Sequence, residues 1–131
     1  MSETIKFFVL SFLQVVIALT LLNVWLMRFH KATKYRGASA QNMKEEFAAY
    51  GLPQWFMYVV GFLKVSIALV MIVTLFKPTL MTLVGVPALE VLAVLMIGAI
   101  LMHIKLKDPC IKALPATIVL LMSLSLIALV I

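Results

Sequence analysis

Charged side chains are scarce in this chain of 131 residues, where Asp, Glu, Lys and Arg together make up only 12% of the sequence. A soluble globular domain carries about 25% of such residues. Hydrophobic residues make up 65% of the chain, and its mean hydropathy is +1.18. This composition excludes an ordinary soluble domain and is typical of a protein that lies mostly within a lipid bilayer.

Cysteine occurs once, as Cys110. A single cysteine excludes an internal disulfide and a Cys-x-x-Cys redox pair. It therefore also excludes a thiol–disulfide mechanism of the vitamin K epoxide reductase kind, which a four-helix membrane protein would otherwise bring into consideration.

Motifs of metal and phosphate chemistry are missing as well. The sequence has no His-Glu-x-x-His, no phosphate-binding glycine loop and no Gly-x-Ser-x-Gly. Its two histidines, His30 and His103, have no cysteine or carboxylate at ligand spacing. We therefore predict no metal site and no covalently bound cofactor, so any electrons would come from a partner or a borrowed cofactor.

Four apolar runs are each long enough to cross a bilayer, which takes about 20 helical residues. They cover residues 7–27, 55–76, 80–102 and 113–131. Little chain lies between the runs, and no internal repeat stands out. The sequence thus predicts one all-α domain over residues 1–131, an integral membrane bundle of four transmembrane helices.

Basic residues are distributed unevenly over the loops between these runs. Of the 11 Lys and Arg, eight lie in residues 28–53 (loop one) and 103–112, whereas only Lys6 and Lys77 lie on the other side. The positive-inside rule then places both basic loops in the cytoplasm and both termini outside. These loops, next to anionic lipid, also explain the net charge of +6, so no nucleic acid partner is predicted.

Loop one contains a short amphipathic pattern. Met43, Phe47 and Tyr50 follow one another at spacings of four and three, and Gly51 and Pro53 come next. This pattern predicts a short cytoplasmic helix at the membrane interface.

Two tryptophans near span ends are predicted to belong to the interfacial aromatic belt, namely Trp25 and Trp55.

Lys64 and Glu90 are ionisable residues deep within the apolar runs. An ionised side chain at the bilayer centre costs about 2.5–3.5 kcal/mol. At 1.5 Å per residue, Lys64 lies about 13 Å and Glu90 about 18 Å from the cytoplasmic end of its span. A lysine side chain can cover that difference, so we expect the two groups to form a buried charged pair.

Three interpretations of this pair stay open. It is a structural ion pair, or it is functional, as a proton-relay carboxylate or the charged wall of a ligand cavity. In the third, Lys64 reaches toward the interface and never contacts Glu90.

A further set of polar residues belongs to the cytoplasmic rim. If loop one covers the bundle, these residues form a mostly cationic vestibule, and if it does not, they form a rim that faces the lipid headgroups. These rim candidates are Asn23, Arg28, Arg36, Glu46, His103 and Asp108.

An ordered set of short segments resembles the DoxX-like family of small bacterial membrane proteins. The segments are NVWLMRF (23–29), YRG (35–37), EFAAYGLP (46–53), VGFLK (60–64), GAILMH (98–103) and KDP (107–109). In the wider family a Gly-x-x-Glu pattern often opens span two, whereas here Gly61 is followed by Lys64. A carboxylate role therefore does not carry over to this position.

The resemblance implies a multi-pass protein of the bacterial inner membrane. The family name comes from membrane subunits associated with thiosulfate:quinone oxidoreductase, and other members look like partners in membrane oxidoreductase complexes. The implied function is an accessory subunit of quinone-linked redox chemistry, or a binder of a small hydrophobic ligand such as a quinone or a lipid. In this interpretation Lys64 and Glu90 polarise or protonate the ligand, with His103 near the mouth.

A non-enzymatic function is the competing interpretation. In it the protein is a structural or assembly partner in the membrane, or a small proton-coupled transporter. The partners expected from the sequence are the lipid bilayer, a membrane oxidoreductase and a second copy of the chain, because four short helices bury little surface alone. No catalytic residue is assigned.

Overall fold

A computed structural model describes residues 2–131, in which helices are the regular secondary structure and no strand occurs. Its five α-helices are α1 (Glu3–Leu22), α2 (Met43–Ala49), α3 (Gln54–Phe76), α4 (Val86–Lys105) and α5 (Leu114–Val130). Short turns of other helical types extend three of them: a π-helical turn follows α1 (Asn23–Met27), another precedes α4 (Met81–Gly85), and a 3-10 turn precedes α5 (Cys110–Ala113).

Within the described residues, four helical segments are long and apolar enough to cross a membrane. They are Glu3–Met27, Gln54–Phe76, Met81–Lys105 and Cys110–Val130. The predicted four-span, all-α fold is therefore confirmed, with span ends that differ by a few residues. The first helix begins before its apolar run because the Ser2 hydroxyl accepts a hydrogen bond from the Ile5 N–H at 3.2 Å, which caps the helix.

The four long helices form a ring in the order α1, α3, α4, α5. The contacts of α1 with α3 and of α4 with α5 are extensive, whereas α3 and α4 touch sparsely. An apolar core fills the middle of the bundle and the half nearest the termini. Its fully buried members include Ile17, Met71, Leu89, Leu92 and Leu126.

The predicted helix in loop one is present as α2. The Asn42 side chain caps it, since Oδ1 accepts from the Glu45 N–H at 2.8 Å and Nδ2 donates to the Glu45 carboxylate at 3.0 Å. At the other end Gly51 adopts a φ of +78°, and the Leu52 N–H donates to the Phe47 carbonyl at 3.0 Å. This arrangement closes the helix in a glycine-dependent C-cap.

The environment of α2 differs from the expected one. Its apolar face does not lie in the membrane interface, because Met43, Phe47 and Tyr50 are buried against the bundle. They form a second apolar cluster with Trp25, Met57 and Val60. Loop one therefore folds over the end of the bundle, here called the loop-one end.

Candidate ligand cavity

A cavity of about 770 Å³ lies at the loop-one end, between α2 and the ends of the long helices. Small-molecule sites in proteins have volumes of roughly 300–1,000 Å³. Much of the wall is apolar and includes Leu21, Trp25, Phe47, Val60, Leu95 and Val119. Five basic side chains also line it, namely Arg28, Lys34, Arg36, Lys64 and Lys112. The cavity is thus amphipathic, and its charged groups are mostly cationic.

Lys64 lies on the inward face of α3. The neighbours at helical spacing on that face, Gly61, Ile67 and Ala68, are all buried. Lys64 lines the cavity, and its Nζ lies 5.5 Å from the ring centroid of Trp25. Such a position over an indole stabilises an ammonium group through the ring quadrupole.

Glu90 does not meet Lys64. The ion pairs within residues 2–131 join Arg36 to Glu46 and Asp108 to both His103 and Lys112, and none includes Lys64 or Glu90. Glu90 is exposed, whereas the preceding residue, Leu89, is fully buried. One residue is a rotation of about 100° around a helix, which turns Glu90 away from the core. The expected buried pair is therefore wrong, and the arrangement matches the interpretation in which Lys64 never contacts Glu90.

Trp25 is not a belt residue either. Only 7% of its surface is exposed, whereas Trp55 is 66% exposed and lies where a belt residue would. The Trp25 ring packs over Gly61 so closely that a Cβ there would lie 2.7 Å from its Cζ3 atom. The glycine therefore makes room for the indole in the cavity wall.

Arg36 organises loop one. Its guanidinium donates to the Lys31 carbonyl at 2.8 Å, to the Arg28 carbonyl at 2.6 Å and to the Phe29 carbonyl at 3.3 Å. It also forms an ion pair with Glu46 at 3.0 Å. The carbonyls at the end of the first span lack helical partners, so one buried arginine satisfies them and ties α2 to that end.

Glu46 is held by two partners on the cavity wall. One carboxylate oxygen accepts from Arg36, and the other accepts from the Tyr50 hydroxyl at 2.5 Å. Burial raises the pKa of Tyr50, and the charge of Glu46 and its hydrogen bond add to the effect. Tyr50 therefore remains a hydrogen-bond donor at neutral pH.

His103 and Asp108 form a second polar pair at the same end. His103 Nδ1 lies 2.8 Å from Asp108 Oδ2, and the other oxygen, Oδ1, accepts from the Ala38 N–H at 3.1 Å. Burial acts to raise the pKa of Asp108, but the bonds from His103 and Ala38 and the charge of Lys112 outweigh it and hold the pKa below its ordinary value.

An ionised carboxylate only accepts hydrogen bonds, so the proton of the neutral His103 ring lies on Nδ1. Nε2 is then the nitrogen left for a ligand, and His103 lines the cavity. The ring of Tyr50 packs edge-on against that of His103, with 6.0 Å between the centroids.

The rim candidates are gathered at one place by the fold. Asn23, Arg28, Arg36, Glu46 and His103 all line the cavity, and Asp108 contacts His103 from behind. Sequence reasoning missed Trp25, Tyr50 and Lys112 as members of this site. The spacing of Tyr50 from Glu46, one helical turn, was the available signal for that contact.

A smaller pocket of about 190 Å³ lies at the opposite end, beside Gln14. The buried Gln14 amide donates to the Thr74 hydroxyl at 2.8 Å. The apolar core that contains Ile17, Leu89 and Leu92 separates this pocket from the cavity. Within residues 2–131, no three His, Cys, Asp or Glu side chains are grouped as metal ligands would be.

Comparison with known proteins places the chain in a family. No curated protein and no solved structure matches it significantly. The sequence model of the DoxX-like family matches residues 12–127, which include the second and third membrane-spanning segments in full, most of the fourth, and the first from residue 12 onward. The protein belongs to the DoxX-like family.

Proposed function

We propose that the protein holds a small membrane-soluble ligand in the loop-one cavity, as an accessory to membrane redox chemistry. The amphipathic cavity of about 770 Å³ is the observation that carries this proposal. Membership of the DoxX-like family supports the redox setting, since the family resemblance implies quinone-linked partners. The chain would supply the binding site, and a partner protein would supply the electrons.

A quinone is one ligand that this wall suits. Its ring would pack against the edge-to-face pair of Trp25 and Phe47, whose centroids lie 6.1 Å apart. Its oxygen would face His103 Nε2, which accepts a proton from a quinol hydroxyl or, once protonated, donates to a quinone carbonyl. Asp108 would hold the ring in place and stabilise the imidazolium.

Ligand content tests this proposal directly. Gly98 lines the cavity, and a Cβ added there would meet no atom within 4 Å. Gly98→Leu should therefore fill the cavity without disturbing the fold. Native mass spectrometry of the purified protein should show a bound small molecule that Gly98→Leu loses. The control Val73→Leu adds bulk on a lipid-facing position outside the cavity and should retain it. A wild-type protein that carries no ligand and takes up no decylubiquinone would contradict the proposal.

We propose that the loop-one end faces the cytoplasm of a bacterial cell, as the basic loops indicate. Cys110, the single cysteine, is exposed in the connection between α4 and α5. A membrane-impermeant maleimide should label it in inverted vesicles and not in intact spheroplasts. Thr79→Cys in a Cys110→Ser background, at the opposite end, should give the reverse pattern. The opposite result for both sites would invert the orientation.

A second candidate function is that of an assembly partner, and the position of Glu90 favours it. Glu90 is exposed among apolar residues that recur at intervals of three and four along α4, namely Pro87, Val94, Ile97, Leu101 and Ile104. This spacing is that of a helix–helix seam, and a polar group in such a seam is costly unless another helix covers it. A second copy would bring two Glu90 carboxyls together, where they could share a proton.

Disulfide cross-linking tests the assembly function. In a Cys110→Ser background, Val94→Cys should cross-link to a second copy, and Val73→Cys, which is exposed on α3, should not. Glu90→Leu should weaken the cross-link. Cross-links of equal yield at both positions would indicate random encounters.

The transporter alternative has no comparable support, since an apolar core lies between the two pockets.

A further inference from the structure

We propose that the ligand of the loop-one cavity is an amphiphile with an anionic head, a carboxylate or a phosphate, and that Lys64 is its counter-charge. This inference rests on the proposed function in one respect, that the cavity is a binding site. It narrows the ligand class, because a neutral quinone head would leave the ammonium of Lys64 without an opposite charge.

The charges of the cavity wall carry the argument. Five basic side chains line the cavity, against the single carboxylate of Glu46. That carboxylate is already engaged by Arg36 and by the Tyr50 hydroxyl. Asp108, next to the wall, is engaged by His103, by the Ala38 N–H and by Lys112. The cavity therefore retains a positive charge that the protein does not neutralise.

Lys64 lies deepest in a span among the cavity-lining cations that form no ion pair. It is the eleventh residue of a helix of 23, so it lies close to the middle of a span, about 15 Å along the helix axis. Within residues 2–131, no carboxylate lies at ion-pair distance from its Nζ. The Trp25 ring at 5.5 Å stabilises the ammonium only in part, because a ring quadrupole is weaker than a full opposite charge.

The shape of the cavity suits an amphiphile. Val94 and Gly98 of α4 belong to its wall, and Val94 is 68% exposed on the outer surface. The cavity thus reaches the lipid-facing surface of α4 at Val94. An acyl chain would lie along this apolar side, and the anionic head would lie among Lys64, Arg28 and His103.

Trp25 offers a built-in reporter for the test. The chain has two tryptophans, and Trp55, outside the cavity, is 66% exposed. In a Trp55→Phe background, in nanodiscs of phosphatidylcholine, only Trp25 fluoresces as an indole. Brominated probes of one chain length would be added in turn: a fatty acid, the corresponding fatty alcohol and a lysophosphatidic acid. Bromine quenches tryptophan fluorescence on contact, so the titration reports occupancy of the cavity.

We expect an anionic probe to bind about tenfold more tightly than the alcohol, the ratio that corresponds to one charge-assisted hydrogen bond. Lys64→Met should remove this preference, and Lys64→Arg, which keeps the charge, should restore it. The control Lys77→Met removes a basic residue from the opposite end of α3 and should change nothing. If only the fatty acid binds more tightly than the alcohol, the ligand is a fatty acid. If only the lysophosphatidic acid does, the ligand is a lipid with a phosphate headgroup. Either result supports the anionic class.

Two other outcomes would contradict the inference and are distinguishable. If the alcohol quenches Trp25 as well as the anions do, and Lys64→Met has no effect, the anionic class is wrong while the binding function stands. Decylubiquinone, whose ring also quenches tryptophan, is added as a fourth probe. If neither it nor any brominated probe quenches Trp25, the binding function itself is wrong.

Discussion

The ammonium nitrogen of Lys64 lies 5.5 Å from the ring centroid of Trp25, and this contact joins α3 to the end of the first span. Gly61 makes the contact possible, since it lies one turn before Lys64 and leaves room for the indole. The cavity wall therefore depends on the close approach of α3 to the end of the first span as well as on the charge of Lys64.

A methyl group at Gly61 should disturb this approach. Gly61→Ala would place a Cβ 2.7 Å from Trp25 Cζ3, and we expect a destabilisation of about 1–3 kcal/mol from overpacking. Thermal unfolding in detergent and the emission wavelength of Trp25 in a Trp55→Phe background would measure it. Gly98→Ala is the matched control, because an added Cβ there meets no atom within 4 Å. That variant should gain about 0.5–1 kcal/mol from helix propensity, and equal effects of both substitutions would rule out the packing argument.

Lys64 and Glu90 should behave as independent sites. Because they form no ion pair, the changes in unfolding free energy for Lys64→Met and Glu90→Leu should add to within about 0.5 kcal/mol in the double variant. Arg36→Met with Glu46→Gln provides the positive control, since these side chains lie 3.0 Å apart. That cycle should show a coupling of about 1 kcal/mol or more. Strong coupling between Lys64 and Glu90 would mean that the two groups meet.

The failure of the expected pair shows what the sequence leaves undetermined. The depths of Lys64 and Glu90 follow from counting residues along a helix. Their directions do not, because core-facing Leu89 and lipid-facing Val91 are both apolar and give α4 little amphipathic signal. In a membrane helix the rotation about the axis is set by packing against neighbouring helices.

Other features could be predicted because they depend on local chemistry. The four spans follow from the length of apolar runs, and α2 follows from its apolar spacing and from Gly51. The cavity could not be predicted, since it requires Arg36 to bind carbonyls at the end of the first span and α2 to fold back over the bundle. These contacts join parts of loop one that no periodic pattern connects.

Arg36 should control the closure of loop one over the cavity. Arg36→Met would remove its bonds to Lys31, Arg28 and Phe29 and leave Glu46 without its ion pair, at a cost of about 3–5 kcal/mol. Limited digestion with chymotrypsin should then cut loop one at Tyr35 or Phe47 much faster than in the wild-type protein. Lys44→Met, on the exposed side of α2, should leave the cleavage rate unchanged. If both variants are equally resistant, the loop is held by apolar contacts alone.

Asp108 should make the loop-one end sensitive to acid. Its pKa is lowered in the folded protein by His103, Ala38 and Lys112, although burial opposes them. A lowered pKa means that its stabilising contribution is fully present above the ordinary value, about 3.9, and is lost as the pH falls through the folded-state pKa. The stability difference between the wild-type protein and Asp108→Asn, measured by unfolding at a series of pH values, should therefore shrink as the pH falls below about 4. Glu3→Gln removes an exposed carboxylate outside this network and should give no such decline. A difference that stays constant down to the lowest pH would contradict this prediction, because it would mean that protonation of Asp108 costs the folded protein nothing.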